Sequence, residues 1–447
     1  MLRNLLLYAY FIVSSTLFSQ GIEKKHKGKF SGQWRTYYMN TLNKGELKDF
    51  SALATGGKIA YTYKFHKKFE LGSSLYNSTN LGWQDLTLPD RTTGKGSRYE
   101  EGLFDRLYPE KDAVFLLGEL YATYTLPKHQ FKIGRMKINT PLINPEDGRM
   151  IPTLVQGFWY THKLYDLNRF QFGVLHQIAP RSTGEFFGIG ESIGTYPVGR
   201  NELGQASLYS GNTRSDYIWI LNTNFKLGPE VRVDLWNYYV NNVFNSLYFK
   251  PSWQLSPNVS LKGEWLHQNR VGHGGNAIDT LRYFTDATSD LFGFRMEYRW
   301  KASMVNLSYN RILPQGRFIS PREWGREDLF SFQKRERSEG TSDNHAVVLN
   351  YHTIFEMPKK VASLKSLVSV GRHWKPSVLD AKANKYAMPD YTHLNVDLFF
   401  DFKKLPNLKP ELLFTKKWAH GNFPDQPNFY FNKTDLFHMD IILNYNF

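Results

Sequence analysis

From Lys29 to Met39 the chain alternates, with Phe30, Gly32, Trp34, Thr36 and Tyr38 on one parity and Ser31, Gln33, Arg35 and Tyr37 on the other. A two-residue period sends those sets to opposite faces of a β-strand. The same period predicts further strands near 52–65, 68–77, 113–126, 129–137, 154–165, 168–178, 215–227, 229–240, 245–255, 258–268, 289–300, 303–312, 344–355, 362–373, 390–403, 409–419 and 435–447, eighteen in all. Helical periodicity is hard to find after residue 20, and no later stretch approaches a spanning helix.

The connections sharpen this pattern. Links after even-numbered strands are short and made of turn residues, as at His66-Lys67, Pro127-Lys128, Gly228-Pro229, Ser256-Pro257 and Lys301-Ala302. Links after odd-numbered strands are mostly long, as at 78–112, 179–214 and 313–343. Short turns on one rim and long loops on the other are the layout of bacterial outer-membrane barrels. The last strand puts Phe437, Met439, Ile441, Leu443, Tyr445 and Phe447 on one parity. An alternating terminal strand that ends on Phe resembles the signal by which barrels reach their assembly machinery, so that machinery is an expected partner through Phe447. Hydrocarbon leaves no partner for an unpaired backbone group, so the sheet is expected to close, the first strand on the last. The fold class is thus all-β, a closed antiparallel transmembrane β-barrel of about eighteen strands.

Composition fits. Hydrophobic residues are 41% and aromatics 16% of the 447 residues, and mean hydropathy is −0.48, which excludes a bundle of apolar spanning helices and suits a polar lumen inside an aromatic-banded wall. Trp34, Tyr61, Tyr63, Phe65, Tyr124, Trp253, Trp265, Tyr298 and Trp300 fall at outward parity near predicted strand ends, as interfacial anchors do. There is no cysteine, which excludes disulfides and thiol chemistry. At the N-terminus Arg3 precedes an apolar run from Leu5 to Phe18 that ends at Ser19, Gln20 and Gly21. We read 1–19 as a signal peptide and 20–447 as the barrel domain, exported to the outer membrane.

The net charge of +15 has to be located before it is read. About eighteen strands enclose an aqueous channel, and the inward parity carries Arg35, Lys58, Glu119, Lys132, Arg232, Asp234, Lys262, Glu264, Arg295, Glu297, Arg299, Asp397 and Lys417. A cation on the lipid side costs roughly 2–4 kcal/mol at mid-bilayer, which supports that parity. Guanidinium and ammonium groups along a tube concentrate anions, and the planar Arg fork matches a carboxylate. The competing reading is that these cations pair with Glu119, Glu297 and Asp234 and simply keep the lumen wet. The charge is scattered, without a recognition helix or compact basic motif, so nucleic acid is not expected as a partner.

Residues 131–157 carry a denser pattern: Gly134 on a strand, Pro141 after it, the segment Asp147-Gly-Arg149-Met-Ile-Pro152, and Gly157 on the returning strand. This resembles the outer-membrane porin D (OprD) family, as do more weakly the aromatic run 235–248 and the C-terminal strand. The resemblance implies a monomeric eighteen-stranded barrel whose third long loop folds inward near 138–153, with a basic ladder for carboxylate-bearing solutes. In that loop Pro141, Pro145 and Pro152 add stiffness, Gly148 permits a tight turn, and Glu146, Asp147 and Arg149 bring opposite charges together. The plainer alternative is a surface loop braced by an Asp147–Arg149 contact.

Two further motifs are set aside. Gly190-Glu-Ser192-Ile-Gly194 matches the nucleophile elbow G-x-S-x-G, but neither the strand before it nor the helix after it is visible in the sequence. His267 and His273 flank a glycine-rich loop without a third ligand at metal spacing and read as loop residues. The expected function is passive diffusion of small polar, anionic or carboxylate-bearing solutes through the lumen. The candidate pore-lining residues are Arg35, Lys58, Glu119, Lys132, Glu146, Asp147, Arg149, Arg295, Glu297 and Arg299. No enzyme activity and no cofactor are expected, and membrane lipid and small solutes are the expected partners. The alternative is a barrel with a closed lumen whose long loops act as a surface receptor or adhesin.

Overall fold

The computed structural model describes residues 28–145, 149–163, 168–357 and 361–447. The expected signal peptide, together with Glu146, Asp147 and Gly148, lies outside the described residues. Among the described residues nineteen strands form one antiparallel sheet. The first seven are β1 (Gly28–Leu42), β2 (Phe50–His66), β3 (Phe69–Asn80), β4 (Ala113–Thr125), β5 (His129–Met136), β6 (Leu154–Lys163) and β7 (Arg169–Ala179). The two-residue β8 (Phe187–Gly188) is followed by β9 (Ile218–Lys226), β10 (Val231–Val240), β11 (Phe244–Gln254), β12 (Val259–Arg270) and β13 (Thr288–Trp300). The wall is completed by β14 (Ser303–Ile312), β15 (Asn344–Glu356), β16 (Val361–Trp374), β17 (Asp390–Phe402), β18 (Leu408–His420) and β19 (Leu436–Asn446).

Eighteen of these strands are the wall. β8 adds two residue pairs to the top of β7, while β7 continues directly onto β9. Closure is made by β1 on β19, in a register that runs from Gln33 opposite Asn446 to Leu42 opposite Phe437. Below it Gly32 and Phe447 exchange backbone bonds, with N–H to O distances of 2.8 and 3.0 Å. No sheet edge is left open, as hydrocarbon requires. Among the described residues no helix is long and apolar enough to cross a membrane; the crossing is made by strands.

The parity read from sequence is the parity of the wall. Phe30, Ile59, Leu71, Phe115, Ile133 and Trp219 are exposed on the outside, while Tyr37, Tyr76, Tyr238 and Tyr391 are buried inside. At the short-turn rim Tyr63, Phe65, Phe69, Tyr124, Phe131 and Tyr160 form a line of rings across β2–β6, with centroids 4.5 to 6.4 Å apart. That is an interfacial girdle.

Two bulges reset the alternation around β4–β7. In β4 the register slips at Gly118, so that Glu119 pairs with Ser74 and Leu117 with Leu75. Above the slip Val114 and Leu116 are buried; below it Glu119 and Thr123 are. Were Gly118 paired in regular alternation instead of bulged, Glu119 would face lipid. A second slip, between Gln156 and Gly157, leaves His176 of β7 unopposed.

The two glycines of the family-like motif are direct cross-strand partners, Gly134 on β5 and Gly157 on β6. Gly134 has φ +115°, and a Cβ there would lie 2.2 Å from the Leu120 carbonyl oxygen. At Gly157 a Cβ would lie 2.0 Å from the Val174 carbonyl oxygen. The backbones of β4–β7 therefore approach more closely than side chains permit, at the root of the loop that turns inward. Replacing Gly134 with Val is expected to cost at least ~1–3 kcal/mol of backbone strain. The measurement is the fraction of heat-modifiable, folded barrel in detergent, and a wild-type fraction would refute the close-approach argument.

Candidate functional site

The lumen is shaped by loops that enter it from the long-loop rim. In 137–153, Thr140 and Ile143 close a tight turn over Pro141: the Thr140 Oγ1–H donates to the Ile143 carbonyl at 2.7 Å, and the Ile143 N–H donates back to that oxygen at 3.2 Å. Ile138, Leu142 and Ile143 are buried in one cluster with Trp236 and Tyr238 of β10, Tyr248 of β11, and Trp324. Asn144 bolts this loop to 313–343. Its amide donates to the carbonyls of Thr140 (3.1 Å) and Arg326 (2.8 Å), and its Oδ1 accepts from the Arg326 N–H (3.0 Å). Gly325, at φ +138°, lies where a Cβ would stand 2.6 Å from Asn144 Oδ1. The described part of this loop is therefore held by apolar burial plus one doubly used amide.

Loop 313–343 contributes more than the sequence suggested. Its segment 330–336 runs along the inner wall as a strap. The Phe330 N–H donates to Glu264 at 2.8 Å, Arg295 donates to the Phe330 carbonyl at 2.7 Å, and the Ser331 N–H donates to Asn310 at 2.6 Å. Gln333 then donates to Ser369 of β16 at 2.9 Å. Lys334 sits 2.5 Å from Asp397 of β17 and 2.6 Å from Glu411 of β18. Arg335 reaches Asp440 of β19 (2.5 Å), His438 (2.9 Å) and the Tyr37 hydroxyl of β1 (2.8 Å). Lys417 of β18 donates to the Arg335 carbonyl (2.6 Å) and to Glu336 (3.1 Å). Charges so deeply placed persist only when paired. The strap is thus locked to eight wall strands by its own polar groups.

The neighbours fix the ionisation of the strap. Burial alone would raise Glu336, but Lys417, Lys375 and the nearby histidines His373 and His393 hold its carboxyl well below the usual carboxylate range. Burial alone would lower Lys334, and Glu411 with Asp397 raise it above the usual ammonium range.

The expected pore-lining residues fall into three groups. On β12 and β13, Glu297 is surrounded by Lys262 (2.7 Å), Arg299 (3.2 Å) and Arg295 (3.8 Å), leaving two positive charges in excess. Arg299 keeps 64% of its side chain exposed. On the wall near β2–β5, Glu119 accepts from the Tyr76 hydroxyl at 2.7 Å and lies 3.6 Å from Lys58. Lys132 stands 3.5 Å above the Tyr121 ring, a cation–π contact. In the third group Arg35 donates to Asn444 at 2.7 Å and to the Arg149 carbonyl at 2.6 Å. Arg149 itself is buried, in space left by Gly102, where a Cβ would come within 2.6 Å of its Nε. Pairing with carboxylates, the plainer of the two readings, therefore holds at Glu119 and Glu297, yet at Glu297 it leaves a cationic surplus.

Lys334, Arg335, Glu336 and Asp440 were missed. The available signal was the charged run Lys334-Arg-Glu-Arg-Ser-Glu339 inside a loop whose wall carries inward acids. Two local readings are corrected. His267 is a strand residue of β12, on the outer face, bonded to Asp290 at 2.9 Å. The Gly190–Gly194 motif does follow a short strand, β8, and enters a single helical turn, Ile189–Ser192. Ser192 Oγ is nevertheless buried, donating to the Ile189 carbonyl (2.7 Å) and accepting from the Trp324 indole (2.8 Å). Among the described residues no group of His, Cys, Asp and Glu is arranged to hold a metal ion.

Comparison with known proteins agrees with this geometry. Residues 121–330 match the family described as outer membrane porin, OprD family. The barrel is similar to OpdK of Pseudomonas aeruginosa, with a TM-score of 0.69 at 13% identity over 94% of this chain and 98% of that one. It is also similar to OccAB3 of Acinetobacter baumannii, with a TM-score of 0.72 at 12% identity over 94% and 99%. OpdK solved with vanillate gives 0.69 at 13% over 96% and 100%. No curated protein matches the chain.

Arg335→Ala removes the partner of buried Asp440, and breaking such a pair costs ~3–5 kcal/mol, enough to release the strap. The expected result is larger and noisier single-channel current, with protease cleavage inside 330–336; wild-type current and protection would refute it. The strap should hold across neutral pH. Glu336, depressed in the fold, contributes fully above the ordinary carboxylate pKa of ~4.3 and loses its contribution as pH falls through the folded value. Lys334, raised in the fold, contributes fully below ~10.4 and loses its contribution as pH rises beyond its folded value.

Proposed function

We propose, from its matched segment and its barrel, that the chain is an outer-membrane porin of the OprD type whose lumen passes small polar solutes bearing a carboxylate or other negative charge by passive diffusion. The observation that carries this reading is the group on β12 and β13, where three cations share the single carboxylate of Glu297. A solute carboxylate entering there meets donors whose charge is not already neutralised, Arg299 foremost because most of its side chain faces water. In a tube walled by low-dielectric material such a surplus raises the local anion concentration and so the flux. Arg35, Lys58, Lys132 and Arg149 are proposed as further steps of the same path, with Glu119 setting the orientation of Lys58. The structural neighbour OpdK, solved with vanillate, a carboxylate, supports the choice of solute class.

The test is the reversal potential of single channels in a planar bilayer under a salt gradient. Wild type is expected to prefer anions. Arg299→Ala and Lys262→Ala should each lower that preference roughly two- to fivefold, the effect of ~0.5–1 kcal/mol of solvent-exposed charge. Candidate carboxylates added to one side should reduce chloride current in wild type more than in Arg299→Ala. Reversal potentials that do not move in either variant would end the anion reading. A folded barrel that conducts nothing would instead favour the closed-lumen surface receptor.

A further inference from the structure

Among the described residues, the charge on the outer face of the barrel is concentrated in one sector. Among the described strand residues with outward side chains, Arg135 on β5 is the one Arg, Lys, Asp or Glu outside β13–β18. Within that sector stand two acids, Asp290 on β13 and Asp390 on β17, and three cations, Arg311, Arg372 and Lys416, the cations all toward the long-loop rim: Arg311 is next to last in β14, Arg372 third from last in β16, and Lys416 fifth from last in β18. The register makes them one patch. Arg311 lies opposite His345, and His345 opposite Trp374. Arg372 lies opposite Thr392, and Thr392 opposite Trp418, two residues above Lys416.

Each cation has donor capacity left over. Arg311 pairs with Asp343 through Nη2, while its Nη1 is buried without a hydrogen-bond partner. Arg372 is 3.8 Å from Asp390, beyond hydrogen-bond reach, and 5.5 Å from the Trp374 ring. Lys416 makes no hydrogen bond or ion pair among the described residues; its cross-strand neighbours are Leu394 and Phe437. Trp374 and Trp418 are 40% and 41% exposed beside them, which is interfacial-anchor behaviour. A cation facing hydrocarbon is unfavourable, and the penalty fades at the headgroup level, where an anionic headgroup turns it into attraction. Unspent Arg forks beside exposed indoles suit a phosphate attached to acyl chains: the forks take the phosphate and the rings take the chains.

We propose that this sector, centred on Arg311, Arg372 and Lys416, is a binding site for a phosphorylated glycolipid of the outer leaflet. The claim concerns the outside of the wall and stands apart from the solute passing through the lumen.

The full-length barrel in non-ionic detergent is titrated with bisphosphorylated lipid A and scored by native mass spectrometry. Wild type is expected to retain the lipid, and a triple variant Arg311→Ala, Arg372→Ala, Lys416→Ala to lose about tenfold or more in apparent affinity. Arg135→Ala should bind as wild type does, lipid A stripped of its phosphates should bind no better to wild type than to the triple variant, and equimolar inorganic phosphate should not displace the lipid. Heat-modifiable migration and single-channel conductance should stay at wild-type values, because none of the three side chains faces the lumen. Lys416→Gln alone, which leaves the Arg311 and Arg372 ion pairs intact, should still weaken retention severalfold and serves if the triple variant does not fold. Equal retention by wild type and folded variants would overturn the proposal, as would phosphate-independent binding or displacement by free phosphate.

Discussion

Hydrocarbon offers no hydrogen-bond partner, and everything else in this molecule follows from that constraint. A backbone crossing it as strands has to pair on both sides, so the sheet ends by meeting itself, with Gly32 and Phe447 exchanging the last bonds of the seam. Once closed, the sheet has two environments separated by the thickness of one backbone. Side chains must sort between them two by two. The alternation that begins at Phe30 is the direct imprint of this sorting.

The interior poses the opposite problem. A cylinder of eighteen strands is too wide for wall side chains to fill, and the chain fills part of it with its own loops. Two chemistries hold them there. Near β10 and β11 the contact is apolar, with Leu142, Ile143 and Trp324 packed on Trp236 and Tyr248. Along β16–β19 and β1 it is ionic, with Lys334, Arg335 and Glu336 each set against a wall charge of opposite sign. Ionic anchoring specifies register, because a strap shifted by one residue would set Arg335 against Lys417 in one direction or Glu336 against Asp440 in the other. Apolar packing tolerates such sliding far better.

This division explains what was legible in the sequence. The strands were, all eighteen of the wall, because parity is a local property and each strand states it for itself. The motif around Gly134 and Gly157 was legible as a pattern, although its reason, two backbones too close for side chains, is visible only once they are paired. The inward parity of Arg295, Glu297 and Arg299 was legible, but the clustering of Lys262 with them needed the β12–β13 register. The strap was not legible. Lys334 finds Asp397 and Glu411 across more than sixty residues of chain, and nothing local to the run Lys334–Glu339 names those partners. Ser192 shows the converse error of local reading: its motif has the right letters and even a strand and a helical turn around it, yet the hydroxyl is spent on packing with Trp324.

The slip at Gly118 has a consequence for how this gene can change. A strand in such a wall behaves like a text read in a frame of two, and loss or gain of one residue scrambles everything downstream until the next turn. β4 already contains one frameshift, at a residue without a side chain, and everything between Glu119 and the rim is written in the shifted frame. Deleting Gly118 would only erase the bulge, leaving Glu119 next to Leu117 and still facing inward, whereas deleting any single residue between Glu119 and the rim would turn those beyond it outward into oil. Single-residue insertions and deletions in this lineage should accumulate in the loops and, within β4, be tolerated only at the bulge itself, so length variation among descendants of this chain records where the frame is free.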